Sequence, residues 1–565
     1  MEKMTGAKIV IETLKEQGVT TVFGYPGGQV LDIYDELYKA KDEIKHILTA
    51  HEQGACHAAD GYARTSGKTG VVIATSGPGA TNLVTGIATA MLDSIPLVAI
   101  TGNVPSYMIG KDAFQEVNIT GVTLPITKHN YLLSDVSELA DALREAFKIA
   151  NSGRRGPVLI DIPKDVQLAM CEFERKSVAP LISLPEAEES DIKKAAELIN
   201  KSKKPYIYVG GGAIAAGASE EIMLLAEKID APIGCSLMGI SAVSDSCPNF
   251  LGMQGMHGRH SASTSSREAD LIIGIGVRFS DRASNEPVKT PDSAKIIQLD
   301  ADLAEINKNI AADVGMACDI LPALREISKK CKEKKRPKWH LRIEQLKEEE
   351  RLKKEKRLKD AEKSLIPEKV FEIINRIKAS DDLITTDVGQ HQMWAAQFLS
   401  FSKPKTFATS GGLGTMGFGL GAAIGASAES GRRVVMITGD GSFGMNLTEL
   451  ATAVTYNLPI VVVIMNNGSL GMVKQWQALF YEERYSNSVL DRKTDFVKVA
   501  EGFGAKAKRV VSAEEFEAAF KEAINGKGPF VIDVKIDEKE LVFPMLGGSS
   551  ASDIMDMEEG VKQHD

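Results

Sequence analysis

Short runs of aliphatic and β-branched residues recur along this chain: GVVIATS (70–76), IPLVAITG (95–102), GPVLIDIP (156–163), PYIYVGGG (205–212), ADLIIGIG (269–276), RRVVMITGD (432–440) and PIVVVIMNN (459–467). They are apolar at nearly every position rather than at alternate ones. Both faces of each strand must therefore be covered, which is the condition of a parallel sheet packed between helices. Helical stretches separate the runs. Repeated β–α alternation over 565 residues predicts an α/β protein built of several doubly wound parallel-sheet domains, three or four at about 150 residues each.

Two compositional breaks divide the chain. One is the polar, Pro-containing stretch SVAPLISLPEAEES (177–190), and the other is the charged tract from Lys329 to Lys363, with sixteen Lys/Arg against eight Asp/Glu. Leu341, Ile343, Leu346, Leu352 and Leu358 recur at helical intervals among interleaved Glu in that tract, so it reads as a solvated linker helix rather than a nucleic-acid patch. The expected division is an N-terminal domain over 1–178, a central domain over 188–335, a linker helix over 336–366 and a C-terminal domain over 367–565. No internal repeat is visible, although the first and third segments could share a fold without showing it.

Composition removes several function classes. A net charge of −9 argues against a dedicated nucleic-acid binder, since phosphates would be repelled. Six scattered Cys with no CxxC pair point to reduced thiols, not to a disulfide framework or a zinc module. The first residues read as a short linker running into an amphipathic helix, without the cationic start and apolar core of a signal peptide. No run approaches the roughly 20 apolar residues that span a bilayer. A cytoplasmic protein with neither membrane nor nucleic-acid partner is expected.

The sharpest chemical signal is Gly439-Asp440-Gly441-Ser442, with Asn466-Asn467 ending the next apolar strand. Asp440 follows VVMIT, so it sits at a strand's carboxyl end, where open α/β sheets bind ligands. LTELATAVTYNLP reads as one crossover helix, and PIVVVIM as the adjacent parallel strand. Asn467 then emerges at the same edge, 27 positions after Asp440. Two oxygen donors beside a Gly turn suit a hard cation such as Mg²⁺, which commonly bridges to phosphates. In TAHEQGACHAADGYAR (49–64), His51 and His57 lie about 240° apart on a helix, so they cannot share a metal on one face.

The GDG…NN pattern resembles the thiamine diphosphate signature, and TAHEQGACHAADGYAR with SGPGATN (76–82) is similar to the same family's N-terminal motif. VFGYPGG (22–28), GKDAFQE (110–116), ITKHN (126–130), DIPKDV (161–166), VRFSDR (277–282), VGQHQMW (388–394), GGLGTMGFG (411–419) and SLGMVKQWQ (469–477) together resemble acetohydroxyacid synthase, also called acetolactate synthase, from about residue 4 to 557.

That resemblance implies an aminopyrimidine-binding domain, a central FAD-binding domain and a diphosphate-binding domain. It implies Mg²⁺ on Asp440, Asn467 and the Ser469 carbonyl. Gln390, His391, Gly441 and Ser442 would contact the cofactor, with Met416 as the apolar wedge beneath it. Glu52 would hydrogen-bond N1′ of the aminopyrimidine. Gly28, Gln115 and Lys164 would surround the reacting centre, with Lys164 supplied by the partner subunit. Arg282 would hold the second keto acid's carboxylate, a task suited to a planar guanidinium. Phe114 would line the acceptor pocket, and Met472, Val473 and Trp476 would form its wall.

Gly210, Gly211, Met256, His257, Arg278, Asp300 and Asp319 would bind FAD, which does no net redox work in this family. The resemblance further implies a homodimer or homotetramer and a separate small regulatory subunit. The reaction implied is decarboxylation of pyruvate and condensation with pyruvate or 2-ketobutyrate, giving 2-acetolactate or 2-aceto-2-hydroxybutyrate for branched-chain amino acids. An FAD-dependent pyruvate oxidase uses the same cofactors and is the alternative. The chain departs from the family at Gly421, where many members carry Pro, and at Gly547, in a tail motif that is usually PMxPxG.

Overall fold

The computed structural model describes residues 2–284, 294–361, 364–546 and 554–555, so Glu362, Lys363 and the tail glycines Gly547 and Gly548 lie outside the described residues. Three six-stranded sheets carry the fold, and every strand pair within them is parallel. The expected burial on both faces is observed. Gly70–Ala74, Leu97–Asn103, Val434–Gly439 and Ile460–Asn466 are buried at every position. Val71 and Ile73 face one apolar core while Val72 and Ala74 face another.

The first and third sheets share one topology. Counting strands in chain order within each sheet, both read 2-1-3-4-6-5 across the sheet: Lys45–Leu48, Thr21–Tyr25, Gly70–Ala74, Leu97–Asn103, Pro157–Pro163 and His129–Leu132 in the first, and Phe407–Ala408, Leu383–Thr386, Val434–Gly439, Ile460–Asn466, Phe530–Lys535 and Lys506–Val510 in the third. The common fold that the sequence left invisible is thus explicit. The central sheet runs 3-2-1-4-5-6, the order of dinucleotide-binding folds.

The two similar units pack together through helices Glu52–Ser66 and Phe418–Ser430, inside one continuous apolar core. The approach is close enough to exclude side chains. A Cβ on Gly425 would stand 1.8 Å from the Ala58 carbonyl oxygen, and one on Gly61 would stand 2.2 Å from that of Ala422. Gly421, the departure from the family's Pro, lies on the same seam, facing His57 and the Gly54 carbonyl. Gly425→Ala must push the helices apart, and it is expected to cost about 1–3 kcal/mol. An unchanged thermal midpoint would contradict that packing.

Three local expectations need correction. The N-terminus is not a linker, because Glu2–Thr5 pairs antiparallel with Met170–Phe173 and Thr5 then caps helix Gly6–Glu16. The charged tract does form a helix, Pro337–Asp360, but it is not solvated throughout. Trp339, Ile343 and Leu346 are buried, and the Trp339 indole donates to the Pro205 carbonyl at 3.0 Å. Leu341 and Leu352 face solvent. The crossover after Gly439 is not one helix. It runs Asp440–Asn446, a 3-10 turn Leu447–Glu449, then Leu450–Thr455. The break has a local cause, since the Asn446 side chain donates to the Gly417 carbonyl and Glu449 turns inward.

Candidate active site

Gly439 pairs with Met465 across adjacent parallel strands, so Asp440 and Asn467 leave the sheet at one edge, on strands about 4.8 Å apart. The helix starts at Asp440 itself. Burial pushes the Asp440 carboxyl up to about 6, against the opposing pull of its backbone amides and Lys535. The two asparagines divide their work. Asn466 turns inward and donates to Asp533 at 2.7 Å. Asn467 donates to the Gln390 side chain at 2.9 Å, while its own oxygen accepts from the Ser469 hydroxyl at 3.1 Å. Among the described residues no cluster of three or more His, Cys, Asp and Glu is arranged to hold a metal. The side-chain oxygens that leave the sheet here are a carboxylate and an amide oxygen, donor types suited to a hard cation.

Around this edge the remaining side chains are held in place. His391 is buried with Nε2 unpartnered, and burial pushes its imidazole down to about 3, so the ring is neutral. Gly439 makes room for it, since a Cβ there would lie 2.8 Å from His391 Nδ1. Ser442 donates to the Val388 carbonyl at 2.9 Å. Gln390 donates to the Gln475 side chain at 3.0 Å and to the Glu540 carbonyl at 3.1 Å. Neither of those partners was foreseen from sequence.

Met416 lies over the GDG turn, its Cε 3.8 Å from where a Gly441 Cβ would be. The segment before it is tied to the N-terminal unit: Arg64 donates to the Thr409 carbonyl at 2.8 Å, Gly412 N–H donates to Asp93 at 2.7 Å, and the Thr415 and Thr89 hydroxyls meet at 2.7 Å. On the helix Gly471–Phe480, Trp476 packs against Phe480 at 5.1 Å between centroids, Met472 lies against the core, and Val473 is exposed.

In the N-terminal unit, Gly28, Glu52, Gln115 and Lys164 all follow the carboxyl ends of strands in one sheet. Glu52 is the first residue of its helix. His51 caps that helix by accepting from Gln53 N–H at 3.1 Å. Asn82, in the SGPGATN turn, donates to the Glu52 carboxylate at 2.9 Å. Lys164 donates to the Gly28 carbonyl at 3.0 Å. Gln115 adopts φ +60° and packs on Gly77 of the same turn. Phe114 is 84% exposed. His57 is buried against Phe418 and held neutral, with its imidazole pushed down to about 3. It is a core residue.

In the central unit, Gly210 and Gly211 form the turn after strand Pro205–Val209, opening the short helix Gly211–Ala215. His257 is buried with Nδ1 unpartnered and its imidazole pushed down to about 4, and its carbonyl accepts from Gln397 of the C-terminal unit at 2.9 Å. Arg282 is 67% exposed and reaches the Met256 sulfur at 3.3 Å. The Arg278 carbonyl accepts from Asn309. Asp300 ends its strand with its carboxyl pushed up to about 6 by burial, and Asp319 precedes helix Ile320–Lys330.

Comparison with known proteins matches this architecture unit by unit. Residues 4–122 match the thiamine pyrophosphate enzyme N-terminal TPP binding domain, 192–327 the central domain and 387–534 the C-terminal TPP binding domain. The fold and site define a thiamine-diphosphate-dependent enzyme.

Among curated relatives, a probable acetolactate synthase large subunit of Methanocaldococcus jannaschii is 45% identical, covering 96% of this chain and 93% of its own. The acetolactate synthase isozyme 2 large subunit of Escherichia coli is 44% identical over 98% and 100% of the two chains. The acetolactate synthase large subunit of Corynebacterium glutamicum is 45% identical over 98% and 90%. This chain belongs to the acetolactate synthase large-subunit family. Among the described residues no helix is long and apolar enough to cross a membrane.

Proposed function

We propose that the chain decarboxylates pyruvate and condenses the retained two-carbon unit with pyruvate or 2-ketobutyrate, giving 2-acetolactate or 2-aceto-2-hydroxybutyrate in cytoplasmic branched-chain amino acid biosynthesis. The observation that supports this reading is the presence in one chain of two sheets of identical topology, each with a carboxylate past a strand's carboxyl end. One presents Glu52 braced by Asn82, and the other presents Asp440 beside Asn467.

Thiamine diphosphate, when bound, supplies the stabilisation of a carbanion that no side chain can give. The unpartnered, buried His391 Nε2 and the oxygen-only donors at Asp440 and Asn467 fit a Mg²⁺–diphosphate group. Asp440, Asn467 and the Ser469 carbonyl would hold the metal, and Gln390, His391, Gly441 and Ser442 the diphosphate. Met416 would support the ring pair from below. Glu52 would hold a proton at the aminopyrimidine nitrogen, and Gly28, Gln115 and Lys164 would bound the reacting centre. Arg282 would hold the acceptor's carboxylate beside a pocket formed by Phe114, Met472, Val473 and Trp476. The central sheet order and the unpartnered His257 Nδ1 fit FAD, held by Gly210, Gly211, Met256, His257, Arg278, Asp300 and Asp319.

The aminopyrimidine domain would occupy 1–178, the FAD domain 188–335, the connecting helix 336–366 and the diphosphate domain 367–565. A homodimer or homotetramer would bring Glu52 of one subunit to Asp440 of another. The designation "large subunit" in the relatives supports a separate small regulatory partner.

Product analysis tests the reading. Protein supplied with pyruvate, Mg²⁺, thiamine diphosphate and FAD is expected to yield acetolactate, shifting to acetohydroxybutyrate when 2-ketobutyrate is added. Acetate or acetyl phosphate with reduced flavin would favour the pyruvate oxidase alternative instead.

A further inference from the structure

The backbone leading into Glu52 is held by the other end of the chain. The Leu48 amide donates to the Tyr456 hydroxyl at 2.9 Å. Glu449 lies 398 residues beyond His51, and its carboxylate accepts the His51 amide at 3.0 Å and the Ala50 amide at 3.2 Å. Glu449 is fully buried, and its second oxygen is oriented by the Thr452 hydroxyl at 2.7 Å. The first turn of the Glu52 helix is shaped to admit it: a Cβ on Gly54 would lie 2.1 Å from Glu449 Oε1. A buried carboxylate is tolerated only where hydrogen bonds replace its lost water. Here those donors are the Thr452 hydroxyl and the two amides that precede Glu52.

We propose that Glu449 is a positioning residue, a cross-domain anchor that sets the start of the Glu52 helix and thereby the placement of the Glu52 carboxylate. Asn82 fixes the side chain and Glu449 fixes the backbone beneath it. The inference rests on the reading of Glu52 as the cofactor-facing carboxylate, and its test separates the two ideas.

In the full-length holoenzyme, Glu449→Ala is expected to lower kcat by about ten- to a hundredfold, as misplacing a reacting group by about 1 Å can do, with KM for pyruvate nearly unchanged. Glu449→Gln keeps one acceptor oxygen for the amides and is expected to recover most of that loss. Hydrogen-exchange mass spectrometry of the apoprotein supplies a readout independent of turnover: the peptide holding Ala50 and His51 should exchange faster in Glu449→Ala. Deuterium exchange at the bound cofactor's C2 should slow as in Glu52→Gln, and the double variant should be no slower than Glu52→Gln alone.

Unchanged exchange at 50–51, or independent multiplication of the two losses, would overturn the proposal. Parent-level activity in Glu52→Gln would overturn the Glu52 reading, while the peptide exchange still decides the anchor. If Glu449→Ala does not fold, Gly54→Ala displaces the same carboxylate from the opposite side and is expected to give the same exchange pattern.

Discussion

Replacing Glu52 by glutamine is expected to lower synthase turnover by about 10²–10⁴-fold, the range for removal of a positioned proton donor or acceptor. Glutamine matches the shape of glutamate and can still accept from Asn82, so the local geometry survives. Only the capacity to exchange a proton is lost. Stability should barely move. The carboxylate sits at a helix N-terminus, where a negative charge contributes about 0.3–1 kcal/mol, a small quantity beside the kinetic loss. Turnover at saturating cofactor, measured alongside thermal unfolding, separates the two effects. Full activity in this variant would remove Glu52 from the chemistry, and a collapse of stability would make it a structural residue.

Much of the scaffold was readable from hydrophobic patterning, because a strand buried on both faces must be apolar throughout and the chain offers such runs in each of its three segments. The edge carrying Asp440 and Asn467 was readable for the same reason. Once two adjacent parallel strands are located, the residues just past them must share an edge.

What could not be read is which residue answers which. The partner of the Ala50 and His51 amides lies nearly four hundred residues away, and nothing in TEL distinguishes an inward Glu449 from a surface one. Gln475, which fixes Gln390, sits within an ordinary amphipathic helix. The charged helix shows the converse error. The counted spacing took in Ile343 and Leu346, which are buried, but also Leu341 and Leu352, which face solvent, and it missed Trp339, which docks beside the first two. The glycines Gly61 and Gly425 carried no directional signal, since absence of a side chain does not say what presses against it. Local pattern reports that a position is buried, and only the assembled fold reports against what.

The same reasoning gives the second large effect. Asp440→Asn is expected to abolish Mg²⁺-dependent retention of thiamine diphosphate and to reduce activity by about a thousandfold or more, while the apoprotein keeps or slightly gains stability. Burial pushes the Asp440 carboxyl up to about 6. In the absence of metal its charged form is therefore costlier to bury than that of an ordinary carboxyl, although it still predominates at neutral pH, and a neutral amide of the same shape is no worse for the fold. The carboxylate repays its burial only when a cation occupies the strand edge, because the attraction of opposite charges in a poorly solvated site exceeds what an amide dipole offers. Site and stability are thus opposed at one residue, a common condition where function requires an uncompensated charge.

Cofactor titration followed by intrinsic fluorescence, with and without Mg²⁺, measures retention, and thermal unfolding of the apoprotein measures the rest. Parent-level cofactor affinity in Asp440→Asn would transfer the metal to other donors. A large loss of apoprotein stability would mean that the Asp440 carboxylate holds the Val434–Gly439 edge together by itself.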